Sequence, residues 1–440
     1  MHKMNKPGEW AGRLFAIGLV LALPFDALGF DPANGDWHKD DPNQVRIMTW
    51  NIRDAIGVGV STTPAGPGNF GSAYDYVGRI AHAFDPDIIC FQEIDPASDL
   101  NATIAIVTQW AEDYFGVGVY NIYVSTSTDS YNRNVTLSKY PFGDINGDGV
   151  ATRANTGFIF PGSGGLPPGG DAGIRGWTQT EIDLPDDVFL GDILVGNSHL
   201  KAGSSDCQDY EDREKAAQNI AYYINEALNK SEATGGDPDN RIIPQPPQAL
   251  SQFTPVVQVG DHNEIRFSSH SCAGDPVRWL AEWTTTANDG TDRDGSTMHI
   301  DDAIQINTTS SRGTFVSSNT KYDYIILQDS IATVVREFIF HSGKTGANLP
   351  PDLQGILNGF LASSYASDHL PVFVDLSLPL VQPGDFNRDG AVSLGDLAYF
   401  QDCLLGPEAG LAAGCDAEDM DEDGDVDLGD FLLFARAFGL

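Results

Sequence analysis

Positive charge is scarce in this sequence: 25 lysines and arginines face 62 aspartates and glutamates across 440 residues, a formal net charge of −37 at pH 7. The deficit is spread along the chain. Residues 382–440 carry about −12, residues 1–29 about +1, and about −26 falls to the middle. Such a field repels polyanions at long range, which excludes loose nucleic-acid binding through a broad basic face but leaves room for a locally cationic, metal-filled cleft. Long apolar runs are absent after residue 29, so no later segment is expected to cross a membrane. Cysteine is sparse, five in all, which fits an exported chain with one or two disulfides. Cys403 and Cys415 flank a Gly-rich loop and are expected to pair, and Cys207 with Cys272 is the second expected pair. Cys90, inside the apolar run I-I-C-F, reads as a buried free thiol.

What is present is a soluble core and an export signature. Hydrophobic residues make up 41% of the chain, which rules out disorder throughout. Residues 1–29 carry Lys3, Lys6 and Arg13 ahead of a short apolar run and the small-residue end Ala27-Leu28-Gly29, the layout of a secretory signal peptide, with a retained N-terminal anchor as the alternative. From residue 45 onward, short apolar runs alternate with helical periodicity, which argues for an α/β domain. Strands are expected at Val45 to Asn51, D-I-I-C-F-Q, I-L-V-G-N-S-H, T-P-V-V-Q-V-G, Y-D-Y-I-I-L and P-V-F-V-D-L. One helix is marked by Tyr76, Val77, Ile80, Ala81 and Phe84, another by Ala216, Ile220, Ile224 and Leu228. Gly- and Pro-rich loops fill 143–176 and 231–249, and P-L-V-Q-P-G at 379–384 reads as a domain boundary. The expected layout is therefore a signal over 1–29, a main domain over 30–381 and a tail over 382–440.

The tail repeats itself. D-F-N-R-D-G-A-V-S-L-G-D at 385 aligns with D-M-D-E-D-G-D-V-D-L-G-D at 419, an offset of 34 residues. Each copy sets oxygen-bearing side chains at loop positions 1, 3, 5, 9 and 12 and glycine at position 6, the spacing of a calcium loop. The candidate Ca²⁺ ligands are Asp385, Asn387, Asp389, Ala391 through its carbonyl, Ser393 and Asp396, then Asp419, Asp421, Asp423, Asp425, Asp427 and Asp430. These copies resemble a type I dockerin, which implies a small helical module with two EF-hand-like loops and a cohesin-like or cell-surface partner. Leu394-Gly395 and Leu428-Gly429 stand where cohesin-reading dockerins usually carry a hydroxyl pair. A further segment, Asp144, Asn146, Asp148, Thr152 and Asn155, has calcium-loop spacing without helical flanks, and is either a structural loop or a polar turn.

Each expected strand of the main domain ends in polar residues that its core does not need: T-W-N-I-R, F-Q-E-I, N-S-H-L, G-D-H-N-E, Y-D-Y and S-D-H-L-P. Strand ends are where α/β folds gather their sites. Hydrolysing a phosphate ester needs a hard cation, a base for water, an acid for the leaving oxygen and neutral donors for the phosphate. Carboxylates with Asp or Asn oxygens suit Mg²⁺ or Mn²⁺, whereas a zinc site would want clustered His or Cys.

In order and wording these motifs, with L-S-K-Y-P at 137, resemble the endonuclease/exonuclease/phosphatase superfamily over about residues 43–378. The resemblance implies a four-layer α/β/β/α sandwich with two mixed β-sheets and a divalent-metal site at one edge. It implies Glu93 as principal metal ligand, with Asn51 and Asp368 beside it. Asp261 and Asn263 would orient or deprotonate the attacking water, and His369, its tautomer fixed by Asp323, would meet the phosphate. His199 is the second histidine, an acid or phosphate contact, and Tyr131, seven residues before Ser138, a phosphate-binding tyrosine. Arg53 stands where abasic-site endonucleases carry an acidic ligand. The expected activity is a secreted metal-dependent phosphoesterase, a nuclease first. The alternatives are a phospholipid or small-molecule phosphatase of the same fold, and an inactive surface-binding protein displayed through its calcium tail.

Overall fold

The computed structural model describes residues 30–95, 99–128, 131–154, 177–203, 207–229, 246–264, 292–294, 296–346, 348–407 and 409–438. The expected signal peptide lies outside these residues. Thirteen strands are described: β1 (Val45–Asn51), β2 (Ile88–Ile94), β3 (Asn121–Val124), β4 (Arg133–Ser138), β5 (Thr152–Ala154), β6 (Thr178–Ile182), β7 (Ile193–His199), β8 (Val256–Asp261), β9 (His299–Ile300), β10 (Ile304–Gln305), β11 (Asp323–Leu327), β12 (Thr333–Ile339) and β13 (Val372–Ser377). They form a seven-stranded sheet in the order β10-β12-β13-β1-β2-β4-β3 and a six-stranded sheet in the order β5-β6-β7-β8-β11-β9. Both are mixed: β1 runs parallel to β2 and antiparallel to β13, while β7 runs parallel to β8, which is antiparallel to β11.

The two-residue period of a strand builds the layers. Val45 and Ile47 of β1, Ile88 and Cys90 of β2, Ile193 and Val195 of β7, and Val257 and Val259 of β8 meet in one apolar layer between the sheets. The alternate residues face outward. Met48, Trp50, Ile89 and Phe91 pack under α1 (Ala73–Phe84) and α2 (Leu100–Phe115). Leu194, Val256 and Ile326 pack under Ala216, Ile220 and Tyr223 of α3 (Cys207–Tyr223) and the π-turn Ile224–Leu228 that prolongs it. The result is the four-layer α/β/β/α sandwich.

Several elements sharpen the sequence reading. The expected strands and both expected helices form, the second closing in a π-turn rather than an α-turn. Helix α2, capped by Asp99, and strands such as β12 were not legible. The Cys403–Cys415 disulfide is present and Cys90 is a buried thiol. Cys207 is disulfide-bonded, and its expected partner Cys272 lies outside the described residues. The boundary segment is not loose: Leu380 bridges to Phe189, and the Val381 amide donates to the Val188 carbonyl at 2.9 Å. Beyond it, α5 (Leu394–Cys403) and α6 (Leu428–Ala437) pack Phe400 and Phe434 together, while the short α4 (Ala362–Ala366) leads into β13.

Two ties fix the strands that carry the strand-end residues. Arg46 on β1 and Asp375 opposite it on β13 form a buried bidentate pair, 2.6 and 2.8 Å, and Arg46 Nη1 also donates to the carbonyls of Trp37 and Phe84. With four of the five guanidinium N–H donors answered, this pair aligns two strands without an unpaired charge. Between the sheets, Gln92 Nε2 donates to Asn197 Oδ1 at 2.8 Å, and Asn197 Nδ2 donates to the carbonyls of Phe91 and Val135. Asn197→Ala would leave these buried groups unpaired and should lower stability by at least ~2 kcal/mol. Chemical denaturation checks this, with a midpoint near wild type as the contrary result.

Candidate active site

Where the inter-sheet layer reaches the strand ends, its inward positions become polar. Asn51 follows Val45 and Ile47 in phase on β1, His199 follows Ile193 and Val195 on β7, and Asp261 follows Val257 and Val259 on β8. Asp323 opens β11 in phase with Ile325 and Leu327. Their side chains therefore converge in the slot between the two sheets. Glu93 is out of phase, beside outward-facing Phe91 and Ile94. It reaches the same slot because it takes a left-handed backbone (φ 58°) where the β2–β4 register shifts.

Asp261 is the hub. Its Oδ2 accepts from Asn51 Nδ2 at 2.9 Å and lies 3.5 Å from His199 Nε2 and 3.7 Å from His369 Nε2. Its Oδ1 accepts from the Asn263 backbone amide at 2.9 Å, and Asn263 Nδ2 donates to the Leu200 carbonyl. His199 Nε2 lies 3.7 Å from Glu93 Oε1. His369 Nδ1 is 2.8 Å from Asp323 Oδ2, and the Phe315 ring meets the imidazole edge-on at 5.2 Å. Asp261, Asp323, His199 and Asn51 are buried, whereas Glu93 and Asp368 keep 20% and 29% of their side chains exposed.

Burial sets the proton affinities. Removal from water pushes the Asp261 carboxyl up, well above the ordinary carboxylate range, with His369 opposing and Asp323 adding to the rise. Burial also works against a charged His369, but the carboxylates of Asp323 and Asp261 outweigh it and raise the imidazole to about 10. His262, between Asp261 and Asn263 in sequence, behaves oppositely. It is enclosed against Tyr324 with Nε2 3.0 Å from Ser198 Oγ, and burial lowers it to about 4, so it is a neutral structural ring.

Of the sequence candidates, Asn51, Glu93, His199, Asp261, Asn263, Asp323, Asp368 and His369 come together. Tyr131 stays outside the buried group, 74% exposed just before β4. Ser367 was missed as a site residue although it stands in S-D-H: its Oγ donates to the Asn51 carbonyl at 2.7 Å and accepts the His369 amide, tying the last motif to the first. Thr314, which accepts the Asp323 amide, carries no motif at all.

Residues 48–369 match the model of the endonuclease/exonuclease/phosphatase family. The chain belongs to that family. Residues 383–439 match the model of the dockerin type I domain. Similar solved structures include a family member from Beutenbergia cavernae (17% identity, 76% of this chain and 72% of that one, TM-score 0.45). Others are a family member from Bacteroides vulgatus (16%, 76% and 99%, 0.42) and the mannosyl-6-phosphatase of Bacteroides thetaiotaomicron (13%, 76% and 99%, 0.40). No curated protein sequence matches the chain.

The dockerin loops of this family member share one backbone design. Position 4 is left-handed in both, Arg388 at 57° and Glu422 at 60°, as is the position-6 glycine, Gly390 at 91° and Gly424 at 93°. The position-1 carboxylate accepts the amides of positions 5 and 6: Asp385 from Asp389 and Gly390, Asp419 from Asp423 and Gly424. Position 12 doubles as a capping-box residue: Asp396 and Asp430 accept from Ser393 and Asp427 and, across the loop, from the amides of Asn387 and Asp421. Loop and helix start are thus one hydrogen-bonded unit. Ligand atoms of Asp419, Asp421 and Asp430 lie within 4.8 Å of one another. The segment at 144 has the same turn, with the Gly149 amide on Asp144 and the Asp148 amide on Asn146, but Asp148 is paired with Arg153, and Asn155 lies outside the described residues.

Since the Asp323 carboxylate raises His369, Asp323→Asn should move the His369 imidazole titration to lower pH. NMR of the ring protons reads this directly, and an unmoved titration would contradict the pairing.

Proposed function

We propose that this chain is an exported, divalent-metal-dependent phosphoesterase that cleaves phosphodiester bonds, a nuclease. The observation that carries the reading is the convergence on Asp261: one buried carboxylate held by Asn51, faced by two imidazole nitrogens at 3.5 and 3.7 Å. That set supplies a proton acceptor beside two proton-bearing groups, as ester hydrolysis by water requires.

The residues fit Mg²⁺ or Mn²⁺. Such ions take few protein oxygens and keep several waters, so they need an open side. The partly exposed Glu93 and Asp368 carboxylates offer one, with Asn51, whose oxygen already accepts the Arg53 amide, beside them; the enclosed Asp261, Asp323 and His369 do not. When bound there, the ion would neutralise charge on the phosphoryl oxygens. Asp261, raised toward neutrality by burial, takes the proton of the attacking water on Oδ2, the oxygen that faces both imidazoles, while the Asn263 amide occupies Oδ1. His369, kept cationic by Asp323, pairs with a non-bridging phosphate oxygen, and His199 delivers a proton to the leaving oxygen. The main-domain fold, the 30–381 extent and the 1–29 export signal complete the proposal, with a tail over 382–440 that takes two Ca²⁺ and docks to a cohesin-like or cell-surface partner.

Hydrolysis of bis(p-nitrophenyl) phosphate should require Mg²⁺ or Mn²⁺, and full activity in excess EDTA would refute the metal role. Asp261→Ala and His369→Ala should each cost at least on the order of 10²-fold in rate with the fold intact; a near-normal rate removes that residue from the mechanism. Calcium at millimolar concentration should raise the melting temperature of the tail transition through linkage. Asp396→Ala combined with Asp430→Ala should erase that shift, and an unchanged melting curve for the unsubstituted chain would overturn the calcium loops.

A further inference from the structure

The two loops of the tail share a backbone design but stand in different surroundings. At position 4 the first carries Arg388 and the second Glu422, and the only other lysine or arginine in residues 382–440 is Arg436. Arg388 reaches out of its loop: Nη2 donates to the Phe189 carbonyl at 2.8 Å and lies 3.5 Å from Asp186 Oδ1. At position 6, a Cβ on Gly390 would meet the Phe253 ring at 3.0 Å and Leu190 Cδ1 at 3.6 Å, whereas one on Gly424 would meet nothing among the described residues within 4 Å. The face under the first loop is thus the turn between β6 and β7, with Phe253 ahead of β8. The chain entering the tail is tied to the same turn, since the Leu190 amide donates to the Pro379 carbonyl at 2.9 Å. That turn is acidic, with Asp183, Asp186, Asp187 and Asp192. An arginine at position 4 can settle on it, and a glutamate there would be repelled. One residue therefore selects which repeat docks.

We propose that the first loop is an internal docking element through which Ca²⁺ stabilises the main domain, while the second loop has no such link. The proposal rests on the calcium reading of the loops above. One turn serves both sides. Inside it, Asp385 accepts the amides of Asp389 and Gly390, and Asn387 Oδ1 also accepts the Asp389 amide. Outside it, Arg388 and Gly390 of the same turn meet the main domain. The carboxylates of Asp385, Asp389 and Asp396 carry like charge, so a cation among them favours the closed turn that presents Arg388 and Gly390. By reciprocity, a docked loop then binds the cation more tightly. The weight of docking falls on the charge-assisted bond to the Phe189 carbonyl and on the Phe253 contact, because Asp186 is 86% exposed and its ion pair is weak. The docked face lies at the starts of β7 and β8, the ends opposite His199 and Asp261, so the tail is anchored away from the cleft. Glu422 and Gly424 of the second loop stay exposed.

The test is thermal unfolding of the full chain followed by tryptophan fluorescence, with Mg²⁺ held constant and Ca²⁺ either present or removed by EGTA. Residues 382–440 contain no tryptophan, so the signal comes from the rest of the chain. Ca²⁺ should raise this melting temperature by at least about 2 °C. Two variants should each abolish the rise: Arg388→Glu, which gives the first loop the residue type the second carries at position 4, and Phe253→Ala, which lies outside the tail. Glu422→Ala should keep it. Calorimetric titration of the same samples should show Ca²⁺ binding, weakened at one site by about fivefold in Phe253→Ala. If Ca²⁺ binds to the unsubstituted chain but its fluorescence melting temperature does not move, the linkage is wrong and the calcium reading stands. A rise that survives both Arg388→Glu and Phe253→Ala, or one that Glu422→Ala abolishes, would overturn the docking role of the first loop. If the unsubstituted chain binds no Ca²⁺, the calcium reading itself fails.

Discussion

The layer between the two sheets stops being apolar at one edge, and the arrangement of the cleft depends on that change. Each strand contributes every second residue to the layer, and packing forces the slot closed around whatever side chain comes next in phase. At this edge those side chains are Asn51, His199, Asp261 and Asp323. A polar group buried there without a partner would be costly: Asp261 accepts from Asn51, Asp323 Oδ2 pairs with His369, and Ser367 ties the chain entering β13 to the Asn51 carbonyl. The Gln92–Asn197 bond one step deeper holds the sheets at the spacing this requires.

Burial then does chemical work. The same desolvation that raises Asp261 would discharge His369, were it not for two carboxylates facing its ring. Neighbouring groups therefore end with inverted preferences, an acid inclined to hold a proton and a base inclined to stay charged. His262 is a control within the same segment: equally buried but hydrogen-bonded to Ser198, it goes neutral. The tail solves a different electrostatic problem. The position-12 carboxylates, Asp396 and Asp430, are turned inward on backbone amides and helix starts, while Asp423, Asp430 and Asp419 add to the desolvation that raises Asp421.

The legible part of the fold is the part with simple periodicity. Val45 to Asn51 and Ile193 to His199 are apolar runs too short for helices, and α1 and α3 carry clear apolar stripes. Helix α2 was missed because N-A-T-I-A-I-V-T is rich in β-branched residues, which blur a helical pattern. Six of the site motifs were legible as polar endings on apolar strands. Ser367 and Thr314 were not assigned, because a hydroxyl that braces another residue's backbone leaves no spacing to read.

By itself the sequence determined composition-level and periodic facts: an acidic two-part chain, an α/β main domain, a twice-repeated oxygen-rich loop, and the residue types available at each strand end. These are local properties, set by the chemistry of neighbouring residues and by the period of a strand. Only the tertiary structure decided which of those ends meet. Glu93 lies on the wrong face of β2 by strand phase and enters the cleft solely through a left-handed residue at a register shift. Asp54 and Asn132, far apart in sequence, meet through a side-chain hydrogen bond, and the Asp54 amide bonds to the Glu93 carbonyl. Contacts of that kind come from long-range packing and have no signature in local spacing.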